Sequence, residues 1–264
     1  MGIPIVTSAR INKNQVSNKP YLNEPLFFET FRSAGLVKTS SLSHHVTDSA
    51  AGAVALVTGR KVLMGGGAHN LLSKSRGGRR RDGRDIDIEW SELGGKRRVL
   101  RSVNDLQGVT ASDEKLLGIF ANTHLPMYLD ELVLRTKTVP RLAEMTAKAI
   151  EQLQHGEKGF FLMVEGGLID VAEHQNVINA AFTELYEFEE AIRKGEGAGL
   201  YEVPGVLFVG GPGFDGDGLK ITEDKLAKKR VAGPDYRPPT AVPMSNGPHG
   251  GVDVGVWADG PFAE

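Results

Sequence analysis

The stretch that most constrains this chain runs from Gly159 to Asn176 and reads GFFLMVEGGLIDVAEHQN. Its apolar run, Phe160 to Val164, predicts a buried strand, being too short for a core helix. Glu165 then stands at the strand's C-terminal end, ahead of the turn pair Gly166 and Gly167. A helical pattern follows in which Asp170 and His174 lie one turn apart and share a face. Carboxylate oxygen and imidazole nitrogen are the ligands zinc takes where cysteine is missing, and this chain has no Cys. Open α/β sheets also place their active sites just beyond the C-terminal ends of strands. The plain alternative is a surface Asp–His pair, which the same spacing produces on any helix. Spacing alone leaves both readings open.

The flanking chain reads as alternating helices and strands. Ile3 to Val6 leads into a short helical pattern, and Tyr21 to Val37 is a helix-to-strand passage with Leu26, Phe27, Phe28 and Phe31 as core. Thr47 or Asp48 caps an Ala-rich helix that runs to Leu56. Ser49 then falls in its first turn, where free N–H groups favour anions and ease a hydroxyl toward alkoxide; a plain capping serine is the alternative. Val62 to Met64 reads as a buried strand ending at Gly65-Gly66-Gly67, which is neither G-x-G-x-x-G nor a P-loop. KSRGGRRRDGRDID at 74–87 reads as a solvated loop, because Asp82, Asp85 and Asp87 offset its arginines; phosphate contact by Arg79, Arg80 and Arg81 is the alternative. Ile86 to Leu93 and Lys115 to Leu134 supply helical pieces, and His124, in the irregular stretch Asn122 to Pro126, reads as a structural residue.

Pro140 to Gln154 is a helix with Leu142, Met145, Ala149, Ile150 and Leu153 on one face. It leads into the Phe160 strand, and the helix beyond His174 continues to about Arg193. Val206 to Val209 reads as another buried strand, and an alternating strand follows His249. Helix into parallel strand into helix predicts an α/β fold with a central, mostly parallel sheet flanked by helices.

Composition narrows the function classes. The 264 residues are 40% hydrophobic and 24% charged with a net charge of −2, an ordinary globular balance with no basic excess for nucleic acid. No apolar run is as long as a membrane span, and no secretory signal precedes residue 20.

Four patches, in order, resemble the alkaline phosphatases, the zinc- and magnesium-dependent phosphomonoesterases. VTDSAAGAVALVTG at 46–59 is similar to the family's nucleophile helix. VLMGGG at 62–67 with RRDGRDIDIEW at 80–90 resembles a family strand and its loop. LAEMTAKAIEQL through FFLMVEGGLIDVAEH is the most specific match, and AVPMSNGPHGGVDVGVWADGP at 241–261 resembles the closing His-Gly-Gly-x-Asp strand. The resemblance implies a three-layer fold in a single domain over 1–264. It implies Ser49 as a nucleophile that forms a phosphoserine, Asp170, His174 and His249 as ligands of one zinc, and Glu165 as a magnesium ligand. A small phosphomonoester is the implied substrate. Relatives are usually homodimers outside the cytoplasm, often lipid-anchored.

The chain also departs from the family pattern. Expected but missing are the opening strand with its Asp-Gly-Met-Gly, a segment between Gly59 and Arg60 with a phosphate-clamping arginine and a magnesium-binding threonine, and the Asp-His strand between Arg193 and Val206. Val252 replaces a Glu. One zinc site keeps three ligands, while the second zinc keeps only the serine and magnesium one acid. Three readings follow: an active hydrolase in which His44, His45 and Asp48 or a partner chain replace lost ligands; a non-catalytic protein holding one zinc and phosphate; or an incompletely folded splice or truncation product.

Overall fold

The strand β4, Lys115–Ile119, organises one of two compact units, Val57–Val164. The computed structural model describes residues 2–37, 61–155, 160–195, 201–202, 236–237, 244–247 and 254–259. The expected Ser49 helix and the expected Val206–Val209 strand lie outside these described residues. β4 corrects the expectation of helix across 115–134, since only α5, Tyr128–Leu134, is helical there. A short apolar run such as Leu116 to Ile119 does not separate strand from helix by period alone.

β4 pairs in parallel with β2 (Val62–Gly65) on one side and β3 (Arg97–Leu100) on the other, with Leu63 and Val99 both opposite Leu117. β3 was not anticipated, because Arg97 and Arg98 break its apolar pattern. Successive side chains of β4 point to opposite faces and so build two cores. Leu116 and Phe120 pack with Leu100, Leu106, Val139 and Met145. Leu117 and Ile119 pack with Ala68 and Leu72.

Helices cover both faces. α4 (Val103–Gln107) and α6 (Leu142–Leu153) supply Leu106 and Met145 to the first core. α2 (Ala68–Leu71) and α3 (Ile86–Glu92) bring Leu71 and Trp90 to the second. Each fully buried Leu contributes about 1.5–3 kcal/mol relative to an exposed one. Gly118 is required at the centre: a Cβ there would lie 2.6 Å from the Phe120 ring and 2.9 Å from Met64 Cγ. A small parallel sheet between helices is the expected α/β architecture.

The predicted helix at 140–154 is present as α6, where Glu144 accepts the Arg141 N–H at 2.8 Å and closes the first turn. The predicted strand at Phe160–Val164 is absent: these residues form no ladder, and Phe161 is 67% exposed. An apolar run becomes a strand only where a neighbour takes its backbone N–H and C=O groups.

The second unit comprises Met1–Leu56 and Glu165–Glu264. Its antiparallel sheet sets β6 (Val254–Ala258) between β1 (Ser33–Val37) and β5 (Tyr201–Glu202). This bears out the alternating closing strand and the passage into β1. Leu26 and Phe28 are buried as expected, and Phe28 meets Trp257 edge to face at 5.1 Å.

α1 (Ile3–Val16), α7 (Gly167–His174) and α8 (Ile178–Lys194) complete this unit. Glu189, 1% exposed, joins α8 to α1 and to the Phe27–Thr30 turn. It accepts the Phe27 N–H at 2.7 Å and Arg193 at 3.0 Å, and it pairs with Lys13. The helix that begins before His174 does not run on to Arg193. Asn176 takes φ 54°, and the Val177 and Asn176 N–H groups close back on Ala172 and Glu173, each at 2.9 Å. This paired closure over a left-handed residue ends α7.

Candidate functional site

α7 carries the two site residues that the structure brings together. Asp170 sits in its first turn, where the helix dipole favours a carboxylate, and His174 in its last. Asp170 Oδ2 lies 3.4 Å from His174 Nε2, and both side chains are about one-third exposed (34% each). The exposed pair is set by helical phase, since Ile169, Ala172, Glu173 and Asn176 form the buried face.

A second segment closes on the same helix end. The Gly247 N–H donates to the His174 carbonyl at 2.7 Å, and His174 Nδ1 lies 2.5 Å from the Gly247 carbonyl oxygen. A carbonyl only accepts, so Nδ1 carries the proton in this contact and Nε2 is left to face Asp170. Two donors at about 2.0–2.1 Å from a tetrahedral zinc stand roughly 3.3 Å apart. The Asp170–His174 separation therefore fits two corners of such a site, and the donor chemistry fits zinc.

Glu165 is exposed, and its carboxylate folds back over Gly167 at the start of α7, with Oε1 3.7 Å from where a Gly167 Cβ would stand. Ser49 and His249, with His44, His45 and Asp48, lie outside the described residues. Among the described residues, no three His, Asp or Glu side chains cluster as a metal site.

Two groups escaped the reading of the sequence. Gly247 acts through its backbone, which leaves no side-chain signature. Glu173 is 2% exposed, with neither carboxylate oxygen hydrogen-bonded among the described residues. Burial, with the nearby Asp170 charge adding to it, pushes its carboxyl up to about 8. The helical spacing of Ile169, Ala172 and Asn176 was the available sign that Glu173 faces inward.

The triple glycine serves packing. A Cβ on Gly66 would lie 1.9 Å from the Thr123 carbonyl oxygen. The Gly67, Ala68 and His69 N–H groups donate to the carbonyls of Thr123, Ala121 and Asn122 at 2.7, 3.0 and 2.9 Å, so these donors are already engaged. The acids of the arginine-rich loop are paired with arginines, as expected, and offset part of its charge. Arg76 grips buried Asp87 through two bonds of 2.8 and 3.0 Å, Arg101 pairs with the same carboxylate, Arg80 with Asp82, and Arg84 with Glu89.

A model of the family described as alkaline phosphatase matches residues 1–62 and 60–199. Alkaline phosphatase 3 of Bacillus subtilis is 37% identical over 133 residues, covering 50% of this chain and 25% of that protein. The alkaline phosphatase of Gadus morhua is 28% identical over 256 residues, covering 76% of this chain and 53% of that protein. The chain thus spans about half or less of the length of these relatives.

Among solved structures, the alkaline phosphatase of the Antarctic bacterium TAB5 superposes with a TM-score of 0.65 at 17% identity, over 97% of this chain and 88% of that one. The Thermus thermophilus alkaline phosphatase gives 0.61 at 20% identity, over 76% and 55%. A variant of the TAB5 enzyme holds magnesium. At these identities the structures establish the fold, which is a reduced form of theirs. The two matched pieces meet at residues 60–62, beside the Gly59–Arg60 junction where the sequence departs from the family pattern. With the family match covering most of its length, the chain belongs to the alkaline phosphatase family.

Proposed function

We propose that the chain hydrolyses phosphomonoesters, with Ser49 as nucleophile, zinc held by Asp170, His174 and His249, and magnesium held by Glu165. The observation that carries this reading is the Asp170–His174 pair at 3.4 Å with Gly247 closed upon it. His249 follows Gly247 by two residues, and two residues of chain span at most about 7 Å. When bound, the two ions supply positive charge beside the transferring phosphoryl group.

The chain's own part is nucleophilic. Ser49 Oγ bonds to phosphorus, the ester P–O bond breaks, and the alcohol leaves with a proton. Water then cleaves the phosphoserine, releasing phosphate and restoring the hydroxyl. Asp170 contributes a carboxylate and His174 an unprotonated Nε2, a pair that together carries one negative charge.

A second reading, capture of one zinc and phosphate without turnover, is favoured by the sequence from Arg193 to Val206, which holds no Asp or His. Hydrolysis of a chromogenic aryl phosphate at alkaline pH, with zinc and magnesium, separates the two. Turnover that disappears in Ser49→Ala supports hydrolysis, and equal turnover in both proteins refutes the assigned nucleophile. Folded protein that binds one zinc and turns nothing over establishes the second reading. Absence of bound zinc overturns both.

A further inference from the structure

The His174–Gly247 contact is reciprocal. One residue of α7 and one residue 73 positions further along the chain exchange two hydrogen bonds, from the Gly247 N–H to the His174 carbonyl and from the His174 ring to the Gly247 carbonyl. The first bond satisfies a carbonyl at the C-terminal end of α7, one of the groups a helix leaves unpaired. The second dictates a tautomer. A neutral imidazole has one N–H, and a carbonyl oxygen cannot donate, so the proton belongs on Nδ1. Nε2, facing Asp170 Oδ2 at 3.4 Å, then presents a lone pair.

We propose that the Gly247 carbonyl is a positioning group that locks His174 as the Nδ1–H tautomer in the metal-free protein. Docking of Gly247 on the end of α7 and readiness of the Asp170–His174 pair for a divalent cation are then one coupled event. The inference rests on the zinc reading for its purpose, but not for its geometry, which exists without metal. The coupling has a direct physical source. A metal-binding imidazole ordinarily donates its other N–H to an oxygen that fixes the ring, and loss of such a partner typically costs 10–100-fold in metal affinity. Here that partner is the Gly247 carbonyl, so the contact that orients the ring also sets the affinity of the pair for a cation.

The test uses the full-length protein labelled with 15N-histidine and stripped with EDTA, at about pH 9, above the usual imidazole range. Long-range 1H–15N correlation reads the tautomer, and the His174→Asn protein assigns the signal. The expected pattern is a protonated Nδ1 and an unprotonated Nε2. In Gly247→Pro, which removes the N–H that anchors the segment, the Nδ1–H population is expected to fall, and Co2+ affinity, followed by absorbance, to drop 10–100-fold. A proton on Nε2, alone or with Nδ1, overturns the inference, as does a Gly247→Pro protein with unchanged tautomer and Co2+ affinity. Failure of the parent zinc reading is distinguishable: the Nδ1–H tautomer would be present while the parent protein took up neither Co2+ nor Zn2+. The reverse result, Zn2+ uptake with an Nε2–H ring, would sink the tautomer lock and leave the zinc reading standing.

Discussion

Replacing Glu173 with Gln separates the charge of one buried carboxyl from its shape. The side chain is 2% exposed and unpartnered among the described residues, and burial raises its pKa from 4.5 to about 8. In the unfolded chain the carboxyl ionises near its ordinary value, while in the folded chain it keeps its proton until the higher one. Between the two values the folded state holds the extra proton, so stability falls as pH rises. The stabilising difference is fully present below about pH 4.5 and fully lost above about pH 8. The gap of roughly 3.5 pH units corresponds to about 5 kcal/mol over the whole window, and to about 3 kcal/mol by pH 7.

Gln has no proton to lose, so its stability profile lacks this slope. Its unpaired amide carries a desolvation cost of about 1–3 kcal/mol, which leaves a net gain near neutral pH of roughly 0–2 kcal/mol. The assay is urea unfolding of EDTA-stripped protein from about pH 5 to pH 9, comparing Glu173→Gln with the parent so that other titrating groups cancel. Stripping matters, because a cation at neighbouring Asp170 and His174 would draw the proton off Glu173. Parallel profiles for the two proteins would refute the reasoning, since they would mean that the carboxyl is solvated or paired.

Other substitutions probe the frame around the site. Glu189→Ala leaves Lys13, Arg193 and the Phe27 N–H without their shared acceptor, and urea unfolding should show a loss of about 2–3 kcal/mol, reduced from a fully buried pair because both cations are partly exposed. Gly66→Ala forces a methyl against the Thr123 carbonyl and should cost about 1–3 kcal/mol by the same measurement. Burial pushes the Asp87 carboxyl up, but the Arg76 hydrogen bonds and the Arg101 and Arg76 charges outweigh it and hold the group below its ordinary value. That stability is present above the ordinary Asp range and is lost as pH falls through the depressed value; Asp87→Asn should therefore flatten the acid limb of a stability profile below about pH 4.

Local patterns carried the helices well and the sheet unevenly. α6 was legible because its apolar residues recur at helical spacing over three turns, and β6 because its side chains alternate. β4 was not, since a short leucine-rich run fits either state until neighbours are known. β3 hid behind Arg97 and Arg98, whose side chains leave a charged signature on a strand that only its pairing with β4 reveals. Phe160–Val164 failed in the opposite sense: the apolar run is there, but strand formation depends on backbone partners that no local pattern records. The break after His174 had a local sign in Asn176, one of the few residues that takes the left-handed conformation at low cost.

The candidate site divides along the same line. Asp170 and His174 were legible together because one helical turn joins them, whatever the rest of the chain does. Ser49 stood out locally as a first-turn serine with a plain cap as the alternative, and its role as nucleophile, like that of His249 as ligand, came with the family resemblance. The Gly247 carbonyl was invisible to both routes. It is a backbone group 73 residues from its partner, and every residue has one. Loop-closure entropy rises only with the logarithm of length, so a contact across that separation costs little more than one across half of it. Distance in the chain is therefore no guide to which backbone group orients a ligand. The residue that supplies such a group is free to vary so long as its backbone stays in place, and substitutions at Gly247 should be judged by whether they keep its N–H, not by their side chains.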